Sequence, residues 1–123
     1  MNVSDSVERI QNSHLPKRYQ NKLIQDLMQL SSFENLEIDK IVLFGSCARN
    51  EHKVGSDLDL LILSEEKLSK HITGEIASVL EEELEGISTD IIFYTNAEFQ
   101  NSNCMLVREI RKDGIVLWED VHA

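Results

Sequence analysis

Apolar residues recur along this chain with two spacings, and each spacing selects a different element. Tyr19, Leu23, Ile24, Leu27, Met28 and Leu30 fall at helical spacing and give one helix an apolar face. The only proline, Pro16, fits the first turn of that helix, where its missing N–H costs little. A shorter amphipathic piece covers residues 3–10. Leu68, Ile72, Ile76, Leu80 and Leu84 recur every four residues and predict a helix over 65–85. Gly86 is placed to stop it, as a residue able to adopt left-handed geometry. Residues 97–112 read as helical, broken near Asn101-Ser102-Asn103, with Gly114 as the stop.

Between these stretches the apolar residues are contiguous, as in buried strands. Such runs predict strands at 38–44, 58–63, 90–94 and 115–118. A short helix over 46–50 and a polar loop over 51–56 join the first two. The pattern is an α/β sheet with helices packed against it. The apolar stripe of the second helix then reads as a sheet-packing face. Residues 1–37 form a helical segment packed on the same domain, and 38–123 form the core of that single domain.

Bulk properties narrow the function. A length of 123 residues with 41% hydrophobic content supports one real core and leaves no room for a second sizeable domain. The net charge is −10, from 22 acidic and 12 basic residues. Gripping a nucleic-acid backbone needs Lys and Arg clusters, so direct nucleic-acid binding is disfavoured. The acidity suits a basic protein partner or metal ions gathered by local carboxylates, and equally simple solubility. Cys47 and Cys104 make no C-x-x-C pair, and two cysteines are few for a disulfide scaffold. A reduced, cytoplasmic chain is expected. No apolar run approaches the length of a bilayer span, and the N-terminus lacks a signal-like apolar stretch.

Candidate chemistry gathers around one segment. The run Ile41-Val42-Leu43-Phe44 ends on Gly45-Ser46. Glycine lets backbone approach a ligand closely, and serine offers a hydroxyl and an N–H at a helix start. Alone, such a pair is most often an ordinary turn. Ten residues on, Asp57-Leu58-Asp59 opens the apolar strand Leu60-Leu61-Ile62-Leu63. The two carboxylates share one side of the strand start. Acids at the mouth of an apolar strand are unfavourable unless paired or bound to metal. A polar loop end followed by a solvated aspartate is the plainer reading of the D-x-D by itself. Asp90 opens the next apolar strand, Ile91-Ile92-Phe93-Tyr94. If the two strands are neighbours, three carboxylates converge beside a phosphate-binding turn. Two-metal phosphoryl chemistry needs that arrangement, and magnesium suits its oxygen ligands.

The joint pattern, Gly45-Ser46 with Asp57-Leu58-Asp59 and Asp90, resembles the signature of the nucleotidyltransferase superfamily related to DNA polymerase beta. The size, and the closing Arg108-Glu109-Ile110 and Gly114-Ile115-Val116-Leu117-Trp118-Glu119, look like its minimal single-domain branch. The resemblance covers roughly residues 38–119. It implies a polymerase beta-like fold, a small mixed β-sheet with flanking helices. It implies that Gly45 and Ser46 hold the β- and γ-phosphates of a nucleoside triphosphate, with Arg49 and Ser56 as further nucleotide contacts. Asp57 and Asp59 would bind two magnesium ions. Asp90 would bind the catalytic ion and help deprotonate an acceptor hydroxyl. Arg49 fits a surface pair with Glu51 equally well.

Two positions depart from the family pattern. Cys47 stands where Arg or Tyr is frequent, and reads as a small helix residue, since nothing nearby lowers its pKa. Asn50 stands where Gly is frequent, and asparagine tolerates left-handed geometry. His14, His52, His71 and His122 form no spaced ligand set, and His52 reads as a solvated loop residue within possible reach of substrate.

The resemblance further implies transfer of AMP from ATP to a hydroxyl, with release of pyrophosphate. Minimal members are commonly paired with a HEPN-type ribonuclease toxin, which makes an antitoxin that adenylylates a toxin tyrosine the leading expectation. The alternatives are a non-catalytic nucleotide-binding module that blocks its partner sterically, and a small-molecule transferase of the aminoglycoside-modifying kind. The faces at 23–30 and 99–110 serve either the core or an oligomer interface.

Overall fold

The computed structural model describes residues 1–51, 53 and 56–120. His52 and His122 lie outside the described residues, as does part of the loop expected over 51–56.

Four strands form one sheet in the order β3-β2-β1-β4, with β1 at Lys40–Phe44, β2 at Leu58–Ser64, β3 at Thr89–Thr95 and β4 at Ile115–Glu119. The sheet is mixed. β2 runs parallel to β3 and antiparallel to β1, while β1 runs antiparallel to β4. Alternation along β1 and β2 divides their side chains between two apolar layers. Ile41, Leu43, Leu58, Leu60 and Ile62 share one layer with Tyr19, Leu23, Leu27, Ile76 and Leu80. Val42, Leu61 and Leu63 share the other with Ile110, Phe99 and Tyr94.

The first layer is covered by α1 (Ser4–Gln11), α2 (Lys17–Ser31) and α4 (Lys70–Leu80). Pro16 stands one residue ahead of α2, and its carbonyl accepts the amides of Tyr19 and Gln20. Tyr19, Leu23, Leu27 and Leu30 are buried as the stripe predicts, but Met28 is 55% exposed. The second layer is covered by α5 (Asn96–Asn101) and α6 (Met105–Asp113), which break where the Asn-Ser-Asn run predicts. Among the described residues no helix is long and apolar enough to cross a membrane.

α4 is shorter than the periodicity predicts. It starts after Ser69, whose hydroxyl accepts the Ile72 amide, and it ends at Leu80. The four-residue repeat continues to Leu84, but that residue bridges back to Ile87. Glu85 and Gly86 are both left-handed and form the tight turn between them. Gly86 therefore turns a small loop and does not stop the helix. Gly114 does end α6, but with a φ of −63°, outside the left-handed region. Its lack of a side chain serves packing, since a Cβ there would lie 2.9 Å from Val42 Cγ1 and 2.5 Å from the Ile110 carbonyl.

Candidate active site

The site assembles at one end of the sheet, where β1 finishes and β2 and β3 begin. Phe44 pairs with Asp59 in the β1–β2 register, so the turn after β1 lies against the start of β2. Asp59 pairs with Asp90 in the parallel β2–β3 register. Both acids lie in the alternation of Leu61 and Ile92, so they stand on the face that α5 and α6 cover farther along. The two strands are neighbours, as the convergence of the acids requires.

Gly45 is left-handed, with φ +78°, and opens the short helix α3 (Gly45–Ala48). A Cβ at this position would collide with a carboxylate oxygen of Asp59 and sit 3.1 Å from its Cγ. Glycine is therefore required twice here, for its torsion and for its emptiness. Ser46 follows, half-buried in α3. Asn50 closes the turn with φ +57°, the left-handed geometry expected of it.

Asp59 is half-buried, and its carboxyl is pushed up to about 6. Burial is the main cause, followed by the charges of Asp90 and Asp57, while Arg49 acts in the opposite direction. Asp57 is exposed, and its Oδ1 accepts the Ser88 hydroxyl at 3.0 Å. Asp90 is exposed on β3, which is an edge strand. Among the described residues no three His, Cys, Asp or Glu side chains stand grouped as a ready metal cage. The donor chemistry nevertheless fits a hard cation, because every candidate ligand is a carboxylate oxygen. A cation would also offset the burial and the neighbouring carboxylate charges that raise Asp59.

The remaining predicted residues sit around this centre. Arg49 is exposed, and its Nε donates to Glu51 at 3.1 Å. That ion pair is the surface pairing expected of Arg49, and the arginine's charge also opposes the upward shift at Asp59. Ser56 bonds back to Lys53. Its hydroxyl accepts the Lys53 amide at 2.8 Å, and its own amide donates to the Lys53 carbonyl at 2.9 Å. Cys47 is fully buried, with a thiol pushed up to about 11, chiefly by burial. It packs as a small core residue, and its sulfur donates to the Asp57 carbonyl at 3.6 Å.

Sequence reasoning missed the residues that hold this centre from behind. The Tyr19 hydroxyl donates to the Ser56 carbonyl at 3.0 Å, just ahead of Asp57. His14 Nε2 donates to the Cys47 carbonyl at 2.9 Å, behind the Gly-Ser turn. Lys22 and Asp26 are buried together and face Thr89. The available signal was their i, i+4 spacing beside Leu23 and Leu27, on the apolar side of α2.

A mixed four-stranded sheet with flanking helices, a left-handed Gly-Ser turn and acids on two adjacent strands define a small nucleotidyltransferase fold of the polymerase beta type. The family model for the nucleotidyltransferase domain matches residues 21–117, and the chain belongs to that family. Among curated proteins none matches it. Solved structures share its fold. A toxin–antitoxin crystal structure with AMP-PNP is similar at 23% identity and a TM-score of 0.57, over 81% of this chain and 73% of that one. A complex of a tri-AMPylated Shewanella oneidensis HEPN toxin with its MNT antitoxin gives 18% identity and a TM-score of 0.53, over 80% and 73%. A candidate nucleotidyltransferase from Sulfolobus solfataricus gives 19% identity and 0.55, over 94% and 85%.

Proposed function

We propose that this chain is a magnesium-dependent nucleotidyltransferase that moves AMP from ATP onto a tyrosine hydroxyl of a HEPN-type ribonuclease toxin, and so acts as its antitoxin. The observation that carries the reading is the pairing of Asp59 with Asp90 beside a Gly45 that must lack a side chain. Similar folds occur in toxin–antitoxin complexes, one of which contains an AMPylated toxin. The net charge of −10 suits docking on a basic ribonuclease.

In this reading Asp57, Asp59 and Asp90 would hold two magnesium ions, which when bound would supply positive charge to the triphosphate and the leaving pyrophosphate. Gly45 and Ser46 bind the β- and γ-phosphates through backbone and hydroxyl. Arg49 exchanges Glu51 for a phosphate oxygen, and Ser56 borders the nucleotide from the loop. Asp90 takes the proton of the acceptor hydroxyl. The hydroxyl oxygen then bonds to the α-phosphorus, and the bond from that phosphorus to the pyrophosphate oxygen breaks. The acceptor must come from another molecule.

The test is incubation with ATP, magnesium and a HEPN-type partner, followed by intact-mass and peptide mapping of the partner. The expected result is an adenylyl adduct on tyrosine. An unmodified partner that is nonetheless neutralised would overturn the catalytic reading.

A further inference from the structure

A buried polar network lies across the sheet from the carboxylates. Lys22 Nζ donates to Asp26 Oδ1 at 2.5 Å and to the Leu80 carbonyl at 2.8 Å. The Thr89 hydroxyl donates to Asp26 Oδ2 at 2.5 Å. Lys22, Asp26 and Thr89 are at most 1% exposed. The network therefore joins three elements: the middle of α2, the last residue of α4 and the first residue of β3.

Its position relative to the site is specific. Thr89 pairs with Leu58, the residue between Asp57 and Asp59, and the next pair in register is Asp90 with Asp59. Thr89 and Asp90 point to opposite faces, so the hydroxyl that anchors the strand and the carboxylate it presents belong to adjacent residues. Among the described residues β3 pairs on one side only, with β2, and Asp90 is its second residue. The first residues of an edge strand have few partners and open readily. Replacing a buried ion pair with apolar residues is often neutral or stabilising, so stability alone gives little reason for one here. The same helix acts at a second point, since Tyr19 bonds the Ser56 carbonyl just ahead of Asp57.

We infer that Thr89, held by the Lys22–Asp26 pair, is a positioning residue that pins the head of β3 and keeps Asp90 in register with Asp59. Helix α2 thus braces the approaches to both acid-bearing strands. The catalytic part of this inference rests on the transfer activity proposed above. The strand-pinning part does not.

The test uses the full chain carrying Thr89→Val or Thr89→Ala, which remove the hydroxyl, and Thr89→Ser, which keeps it. Amide hydrogen exchange reads the strand without nucleotide or partner. The expected result is faster exchange at Asp90 and Ile92, the amides that face β2, in the Val and Ala variants, with β1 protection retained and Ser close to wild type. Uniform loss of protection across all four strands in both variants, or unchanged exchange at the head of β3, would overturn the inference. In the transfer assay Thr89→Val is expected to lower kcat about tenfold or more while the KM for ATP stays nearly constant, with Ser restoring the rate. A change in KM alone would contradict it. If wild type transfers nothing while the exchange pattern appears, the functional reading fails and the pinning stands.

Discussion

Gly45 and Asp59 fit together only because residue 45 has no side chain. A Cβ there would overlap the Asp59 carboxylate, and the backbone torsion of +78° already disfavours an L side chain. Gly45→Ala should therefore cost about 1–2 kcal/mol from the torsion alone, with more from the collision. It should also lower transfer about 100-fold by displacing Asp59. Urea unfolding and a transfer assay on the same sample check both parts. Wild-type activity in the variant would show that the close approach is incidental.

Asp59 supplies a pH dependence whose sign can be worked out. Its carboxyl is raised from 3.8 to about 6 in the folded chain. The folded state thus holds this proton more tightly than the unfolded state. The stabilisation is fully present below about pH 4 and is lost as pH rises through about 6. Removing the charge should accordingly help the fold at neutral pH. With chelator present, Asp59→Asn should be more stable than wild type at pH 7.5 by about 1 kcal/mol, after discounting for partial solvent exposure. The advantage should fade toward pH 4. Thermal melts at several pH values measure it, and a variant less stable than wild type at pH 7.5 would refute the electrostatic account.

The two cysteines should separate cleanly by reactivity. Burial, with the charges of Asp59 and Asp57, pushes the Cys47 thiol up to about 11. Cys104 is exposed, and the Ser102 hydroxyl leads the hydrogen bonds that hold its pKa below the usual thiol value. Mild alkylation of the native chain at pH 8 should give one adduct, on Cys104. Peptide mapping reads this directly. Equal labelling of Cys47 would mean that the Gly-Ser turn opens readily.

Much of the fold was legible because its strands are contiguous apolar runs and its helices keep their periods. Leu58 through Leu63 could be little else, and the Asn101-Ser102-Asn103 break separated α5 from α6 correctly. The misplaced ends of α4 have a physical reason. Periodicity reports which face is buried, while ends depend on caps and torsions. Ser69 provides the cap, and the left-handed Glu85-Gly86 pair converts Leu84 from a helical position into a turn flank. The spacing of the acids pointed to one site, and the Asp59–Asp90 register supplies the strand neighbourhood that this required. The supports were not legible. Tyr19 reads in the sequence as one more stripe residue, and nothing in the spacing of Lys22 and Asp26 points to Thr89, which lies 63 residues beyond Asp26 and completes the network only in the fold.

The most direct test of the central claim compares two labels of one nucleotide. Wild-type chain is incubated with magnesium, a HEPN-type partner and ATP labelled at either the α- or the γ-phosphate. Nucleotidyl transfer predicts that the α-label enters the partner and the γ-label leaves as pyrophosphate. It also predicts that Asp57→Ala and Asp59→Ala abolish the incorporation. Incorporation of γ-label, or α-label undiminished in both variants, would contradict the account.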